Sequence, residues 1–377
     1  MIKVDKFYSA LSNSGVDFFT GIPDSLLKDF CAYISDKVPP KKNIITANEG
    51  AAISLATGHH ISTGTIPLVY LQNSGIGNTI NPLLSLADKE VYSIPMILMI
   101  GWRGEPGVKD EPQHIKQGRV QNNILEALEI PYLILDSNVG NIDFFVKNVM
   151  NLVQKEGSPV AIIVRKNTFE AYKKVAFNSS DYEMTREAAI ENVVKHISPN
   201  SIIVSTTGMA SRELFECRAR FKQSHQNDFL TVGSMGHCSQ IALGIALNVN
   251  NKVICIDGDG SFIMHMGSAA IIGNNAPSNL LHIVLNNGAH DSVGGQPTVG
   301  HMIDIKKIAT GCGYKNAFTA EKAEDLINTI KYLEKMDGPN LIEVLVKRGA
   351  RSELGRPTSS PLDNKTSLME YIKNFKK

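Results

Sequence analysis

Val253-Ile254-Cys255-Ile256-Asp257-Gly258-Asp259-Gly260-Ser261, read with Leu280-Leu281-His282-Ile283-Val284-Leu285-Asn286-Asn287-Gly288, decides the fold of this chain. Both stretches open as short apolar runs of strand length and close in residues that favour turns. The 25 residues between Gly260 and Asn286 hold a helical pattern and then the second strand. An acid and an amide therefore arrive at the carboxyl ends of two strands, which is where open parallel sheets bind ligands. Glycines let the backbone approach a phosphate closely. Carboxylate and amide oxygens suit a hard divalent ion such as Mg2+, which takes one or two protein oxygens and phosphate oxygens besides. A lone Gly-Asp-Gly would be a tight turn with Asp259 capping a helix; the Asn-Asn that follows at this distance changes that reading.

Outward from this stretch, strand and helix patterns alternate along the whole chain. Strands are expected near residues 17–22, 44–47, 66–71, 95–100, 132–135 and 160–164, with helices near 26–35, 49–62, 76–87, 114–129 and 142–155. After a polar stretch the alternation resumes, with strands near 202–205, 229–232, 253–256, 281–285 and 341–346. Helices fit near 186–196, 212–220, 239–247, 264–274, 305–310 and 323–335. Short strands separated by longer helices imply parallel sheets covered by helices. The expected fold class is α/β, with two tandem doubly wound domains over residues 1–168 and 185–377, joined by a linker over 169–184.

Here the chain resembles the thiamine-diphosphate-dependent enzymes, whose cofactor motif is Gly-Asp-Gly, an interval of this kind, and Asn-Asn. The resemblance implies that Asp259, the side chain of Asn287 and the backbone carbonyl of Ala289 bind Mg2+. It also implies that Gly258, Gly260 and Ser261 hold the diphosphate. In Gly233-Ser234-Met235-Gly236-His237, by itself another strand-to-helix turn, Met235 fits the residue that wedges beneath the cofactor and bends it. The Gly233 carbonyl would accept from the aminopyrimidine, and Gly208 would line the diphosphate. In the first half, Ile44-Ile45-Thr46-Ala47-Asn48-Glu49-Gly50-Ala51-Ala52 resembles the segment that carries the family's catalytic glutamate. Alone, Glu49 is an acid at a helix N-terminus, favoured by the dipole. In the family the two domain types meet across subunits, so a homodimer or larger assembly with interfacial active sites is implied.

The absence of a middle domain, and runs such as Thr20-Gly21-Ile22-Pro23-Asp24-Ser25, Gly101-Trp102-Arg103-Gly104 and Gly294-Gly295-Gln296-Pro297-Thr298, resemble the phosphonopyruvate decarboxylase branch, close to sulfopyruvate decarboxylase. That branch forms phosphonoacetaldehyde and carbon dioxide in phosphonate biosynthesis. A small, doubly charged 2-oxo acid needs cations and fixed donors. The Gly/Pro-rich loop from Trp102 to His114 supplies Arg103, Lys109 and His114, and Asp24, Ser25 and Gln72 are further substrate candidates. His290 follows the metal-site turn and is expected to move protons near the reacting carbon. Arg351 and Arg356 lie in a polar stretch that can close as a lid.

Composition narrows the alternatives. A net charge of +1 creates no general field for nucleic acid. No apolar run is long enough for a membrane span, and the N-terminus carries no signal core, so cytoplasmic is the expectation. Five dispersed cysteines fit neither a disulfide framework nor a zinc site. The missing Gly-x-Gly-x-x-Gly disfavours a dehydrogenase. The remaining rivals are a sulfopyruvate decarboxylase, a carboligase, and a noncatalytic cofactor-binding subunit that would have no use for Glu49.

Overall fold

In the first half, six apolar runs become six parallel strands: β1 (Phe19–Gly21), β2 (Asn43–Ile45), β3 (Leu68–Gln72), β4 (Ile97–Gly101), β5 (Tyr132–Leu135) and β6 (Val160–Val164). They lie in the order β2-β1-β3-β4-β6-β5. Around them run α1 (Val4–Asn13), α2 (Lys28–Lys37), α3 (Glu49–Thr63), α4 (Ile76–Pro82), α5 (Pro112–Ala127) and α6 (Ile142–Glu156). The computed structural model describes residues 1–173 and 182–375. The chain divides into two compact units, Met1–Ala176 and Phe177–Lys377.

The second unit repeats the plan. Its sheet has the order β13-β14-β10-β9-β7-β8, all parallel. The strands are β7 (Ile202–Ser205), β8 (Asp228–Leu230), β9 (Val253–Gly258), β10 (Leu280–Asn286), β13 (Asn316–Ala320) and β14 (Asn340–Leu345). A hairpin of β11 (Ala289–His290) and β12 (Gln296–Pro297) follows β10. The helices are α7 (Arg186–His196), α8 (Met209–Arg220), α9 (Cys238–Ala246), α10 (Asp259–Met264), α11 (Gly267–Asn275), α12 (Ile305–Gly311), α13 (Ala323–Leu333) and α14 (Pro361–Phe375). Strands β4, β6 and β10 are buried along their whole length, as unbroken apolar runs covered on both faces should be. Each fully buried Ile, Leu or Met in them stabilises by roughly 1.5–3 kcal/mol. No helix among the described residues is long and apolar enough to cross a membrane.

Several expectations need correction. The helix expected over 76–87 is α4 followed by a π turn, Leu83–Ala87, because Pro82 has no N–H to continue the α pattern. The helix expected from 264 begins at Asp259, breaks at His265 and resumes as α11. Strand β13 and helices α1 and α14 were not expected. Of the anticipated linker, residues 174–181 lie outside the described residues; Phe169 packs in the first unit's core and Met184 in the second's.

In both sheets the first strand lies between its two successors, so the strand order switches direction between β1 and β3 in the first unit and between β7 and β9 in the second. Such switch points leave a crevice beyond the strand ends.

Candidate functional site

In the second unit, Leu285 of β10 stands level with Gly258 of β9. Asn286-Asn287 therefore leave the sheet beside Asp259-Gly260, and the register itself gathers the motif. Asp259 is 2 % exposed. Burial pushes its carboxyl up to about 6, against hydrogen bonds from the Thr298 hydroxyl and the backbone amides of Asn287 and Gly260. None of these partners is a cation. The Asn287 amide oxygen accepts from Ala289 N at 3.0 Å, and its nitrogen donates to Asp291 Oδ2 at 2.7 Å. Asn286 is wholly buried and donates to Glu343 Oε1 at 2.8 Å and to the Gly300 carbonyl at 2.9 Å.

Of the remaining second-unit candidates, Met235, His290 and Ser261 border the same turn. Gly208, at φ 88, precedes α8 at the end of the β7 connection. A Cβ on Gly260 would stand 3.0 Å from the His290 ring and 3.4 Å from Met235 Cε, so these side chains converge on the glycine. Gly233 and Met235 are half-buried. His290 is held down to about 4 by burial, against the pull of Asp291, and its imidazole is neutral near pH 7. The Ser261 hydroxyl is engaged inward: it accepts from Gly236 N and the Thr206 hydroxyl, each at 3.1 Å, and bonds to Asp257. What Ser261 offers an anion is backbone N–H in the first turn of α10, beside Gly260, whose own N–H is given to Asp259.

This donor set fits the implied groups. A buried carboxylate with no cation in its ion-pair range among the described residues, an amide oxygen and a backbone carbonyl are hard ligands for Mg2+. Two helix starts and glycines without side chains supply donors and room for a diphosphate.

In the first unit, Glu49 opens α3 after Asn48, whose side chain accepts from Ala51 N at 2.9 Å and caps the helix. Glu49 is 6 % exposed, and Asn78 Nδ2 donates to its Oε2 at 2.7 Å. A Cβ on Gly75 would fall 2.3 Å from Oε1. Gly75→Ala is therefore expected to displace the carboxyl and cut turnover by about 10²-fold without unfolding the chain. Comparing kcat with the far-ultraviolet circular dichroism of this variant checks the expectation.

Five of the six substrate candidates form one hydrogen-bonded cluster beyond the ends of β1, β3 and β4. Gln72 Nε2 donates to the fully buried Asp24 at 2.6 Å. Burial raises the Asp24 carboxyl, opposed by Gln72 and by the charge of Arg103. Arg103 donates to Ser25 Oγ at 2.6 Å and to Asp110 at 2.8 Å, and His114 Nδ1 meets Asp110 at 2.9 Å. Asp110 is the hub. Burial works to raise it, yet the hydrogen bonds from Arg103, His114, Gly104 and Glu111 hold it well below the usual carboxylate range. Lys109 is not drawn in and lies exposed on the loop. Arg351 is taken up by Glu187 and Glu216, which ties its segment to α7 and α8.

Asn78, Asp110, Thr298 and Asp291 were missed by sequence reasoning. Three of them lay within stretches that stood out without being singled out themselves: Asn78 closes the run Gln72-Asn73-Ser74-Gly75-Ile76-Gly77-Asn78, Thr298 the Gly-Gly-Gln-Pro-Thr run, and Asp110 lies in the Trp102–His114 loop.

Residues 4–127 match the thiamine pyrophosphate enzyme family's N-terminal TPP binding domain, and residues 206–344 match its C-terminal TPP binding domain. A phosphonopyruvate decarboxylase of Streptomyces viridochromogenes is 32 % identical, covering 96 % of this chain and 93 % of that one. That of Streptomyces hygroscopicus is 33 % identical over 98 % and 94 % of the two chains. A sulfopyruvate decarboxylase of Methanosarcina acetivorans is 27 % identical over 94 % of each.

Proposed function

Because the chain belongs to the thiamine pyrophosphate enzymes, we propose that it decarboxylates 3-phosphonopyruvate to phosphonoacetaldehyde and carbon dioxide, with Mg2+ holding the cofactor. One observation carries the substrate: over nearly the whole chain, relatives named for this activity are 32 % and 33 % identical, against 27 % for a relative named for sulfopyruvate. When bound, the cofactor supplies an electron sink for the carbon–carbon bond that breaks.

The chain's own residues do the rest. Asp259, Asn287 and the Ala289 carbonyl would hold the cation, and Gly260, the Ser261 amide and Gly208 would line the diphosphate. Gly258 would keep the turn open, the Gly233 carbonyl would accept from the pyrimidine, and Met235 would lie beneath the cofactor. Glu49, buried at 6 % exposure, would hold a proton at the pyrimidine nitrogen. Its orientation comes from Asn78. Asp24, Ser25, Gln72, Arg103 and His114 form the anion-facing cluster, to which Lys109 adds an exposed cation. The neutral His290 imidazole accepts or passes a proton beside the reacting carbon.

Residues 1–168 act as the pyrimidine-binding domain and 185–377 as the diphosphate domain, linked by 169–184. Self-association brings Glu49 of one copy to the metal-binding half of another. The reaction is a step of phosphonate biosynthesis.

Carbon dioxide release from 3-phosphonopyruvate, sulfopyruvate and pyruvate, with Mg2+ and thiamine diphosphate added or withheld, tests this. Turnover of phosphonopyruvate alone, dependent on both additions, is expected. Preference for sulfopyruvate would replace the substrate and keep the residue roles; an acyloin product would replace the decarboxylase with a ligase.

A further inference from the structure

Asn287 can bind a cation only through its amide oxygen, and an amide turned end for end would present its NH2 group instead. Its surroundings decide between the two. Asp291 Oδ2 accepts from Asn287 Nδ2 at 2.7 Å, from Arg186 Nη1 at 2.9 Å and from Gly349 N at 2.9 Å. An ionised carboxylate only accepts, so it can face only the NH2 end of the amide. Oδ1 is thereby committed to the other side. Flipping the amide would set its oxygen against a carboxylate and lose the hydrogen bond from Ala289 N.

Asp291 itself is held rigidly. Arg186, the first residue of α7, is 7 % exposed, and its guanidinium also donates to Glu213 Oε2 at 2.8 Å and Oε1 at 2.9 Å. Glu213, on α8, is 2 % exposed. One buried cation thus serves two carboxylates, and removing Arg186 would leave both of them as uncompensated buried charges. The network joins α7, α8, the β10–β11 turn and the backbone at Gly349. A cluster this costly to desolvate, ending on one amide, does more than hold helices together.

We propose that Asp291, clamped by Arg186, is a positioning residue that fixes the Asn287 amide with its oxygen toward the cation. This rests on the reading of Asp259 and Asn287 as metal ligands given above. Partners of ligating groups elsewhere set orientation in the same way, and their loss commonly costs 10- to 100-fold in metal affinity.

The test is Mn2+ binding, followed by electron paramagnetic resonance in the presence of thiamine diphosphate, with no turnover needed. The proteins are the unsubstituted chain, N287A, D291N and the exchanged pair N287D/D291N. Asp291→Asn is expected to weaken Mn2+ binding by about 10- to 100-fold. The exchanged pair should recover most of that loss, because a carboxylate at position 287 offers an oxygen in either orientation and the amide introduced at position 291 still donates to it. Mn2+ binding by D291N at the strength of the unsubstituted chain, with N287A weakened, overturns the proposal and leaves the ligand reading intact. An unweakened N287A sinks the ligand reading and the proposal with it. If D291N does not fold, the exchanged pair decides alone: it should bind Mn2+ more tightly than N287A, and binding no tighter overturns the proposal.

Discussion

Glu49→Gln is expected to leave thiamine diphosphate binding within a few-fold and to lower kcat by about 10²- to 10⁴-fold, the range that a positioned acid–base group contributes. The substitution keeps the volume and the capped start of α3, and Asn78 can still donate to the amide oxygen. What it removes is the capacity to hold and release a proton. Because Glu49 is 6 % exposed, water cannot substitute freely for the lost carboxyl. Steady-state carbon dioxide release gives kcat, and calorimetric titration of the metal-loaded variant gives cofactor affinity. Slower deuterium exchange of the bound cofactor's acidic C–H would place the defect at activation. A variant that binds cofactor and turns over at nearly the normal rate would remove Glu49 from the catalytic role.

Glu49 and Asp259 share a property that made both legible before any coordinates. Each sits at a strand-to-helix turn written in consecutive residues, where glycines, small residues and an acid have local reasons to occur together. The register of β9 with β10 then needs only two apolar strands of similar length. Fold class follows from the same local signals, since an apolar run between helical patterns reads as a strand covered on both faces. α14 was also there to be read: Pro361 follows Ser360, whose hydroxyl accepts from Asp363 N at 3.1 Å, while Asp363 reaches back to Ser360. β13 was not, because Asn316-Ala317-Phe318-Thr319-Ala320 has too little apolar character to stand out from a loop. Partners distant in sequence were out of reach for another reason. Arg186 meets Asp291 across 105 positions and Thr298 meets Asp259 across 39, and only the folded topology selects those pairs. The Trp102–His114 loop shows the same limit: its basic residues were visible, whereas Asp110 as the acceptor that gathers two of them was not.

Asp259→Asn is expected to abolish metal-dependent cofactor binding while stabilising the protein without metal near neutral pH. The two effects have one cause. In the metal-free chain Asp259 is buried among a hydroxyl and backbone amides, and its carboxyl is raised from 3.8 to about 6. A carboxyl whose folded value lies above its unfolded value binds its proton more tightly when folded, so stability falls as pH rises through that window. Above about pH 6 the charged form costs the metal-free protein on the order of 3 kcal/mol. Asparagine resembles the protonated form and carries no such penalty. Scanning calorimetry of the metal-free proteins should therefore put the variant's Tm above that of the unsubstituted chain near pH 7.5 and bring the two together toward about pH 4. Added Mg2+ and thiamine diphosphate should reverse the order, since ligand that binds only the folded state raises its stability with the logarithm of its concentration relative to Kd, and the variant has lost that ligand. A metal-free variant less stable than the unsubstituted chain at neutral pH would mean that Asp259 is anchored by its hydrogen bonds and not held in a destabilised state awaiting a cation. A variant whose Tm rises with the cofactor as far as the unsubstituted chain's would remove Asp259 from the metal site.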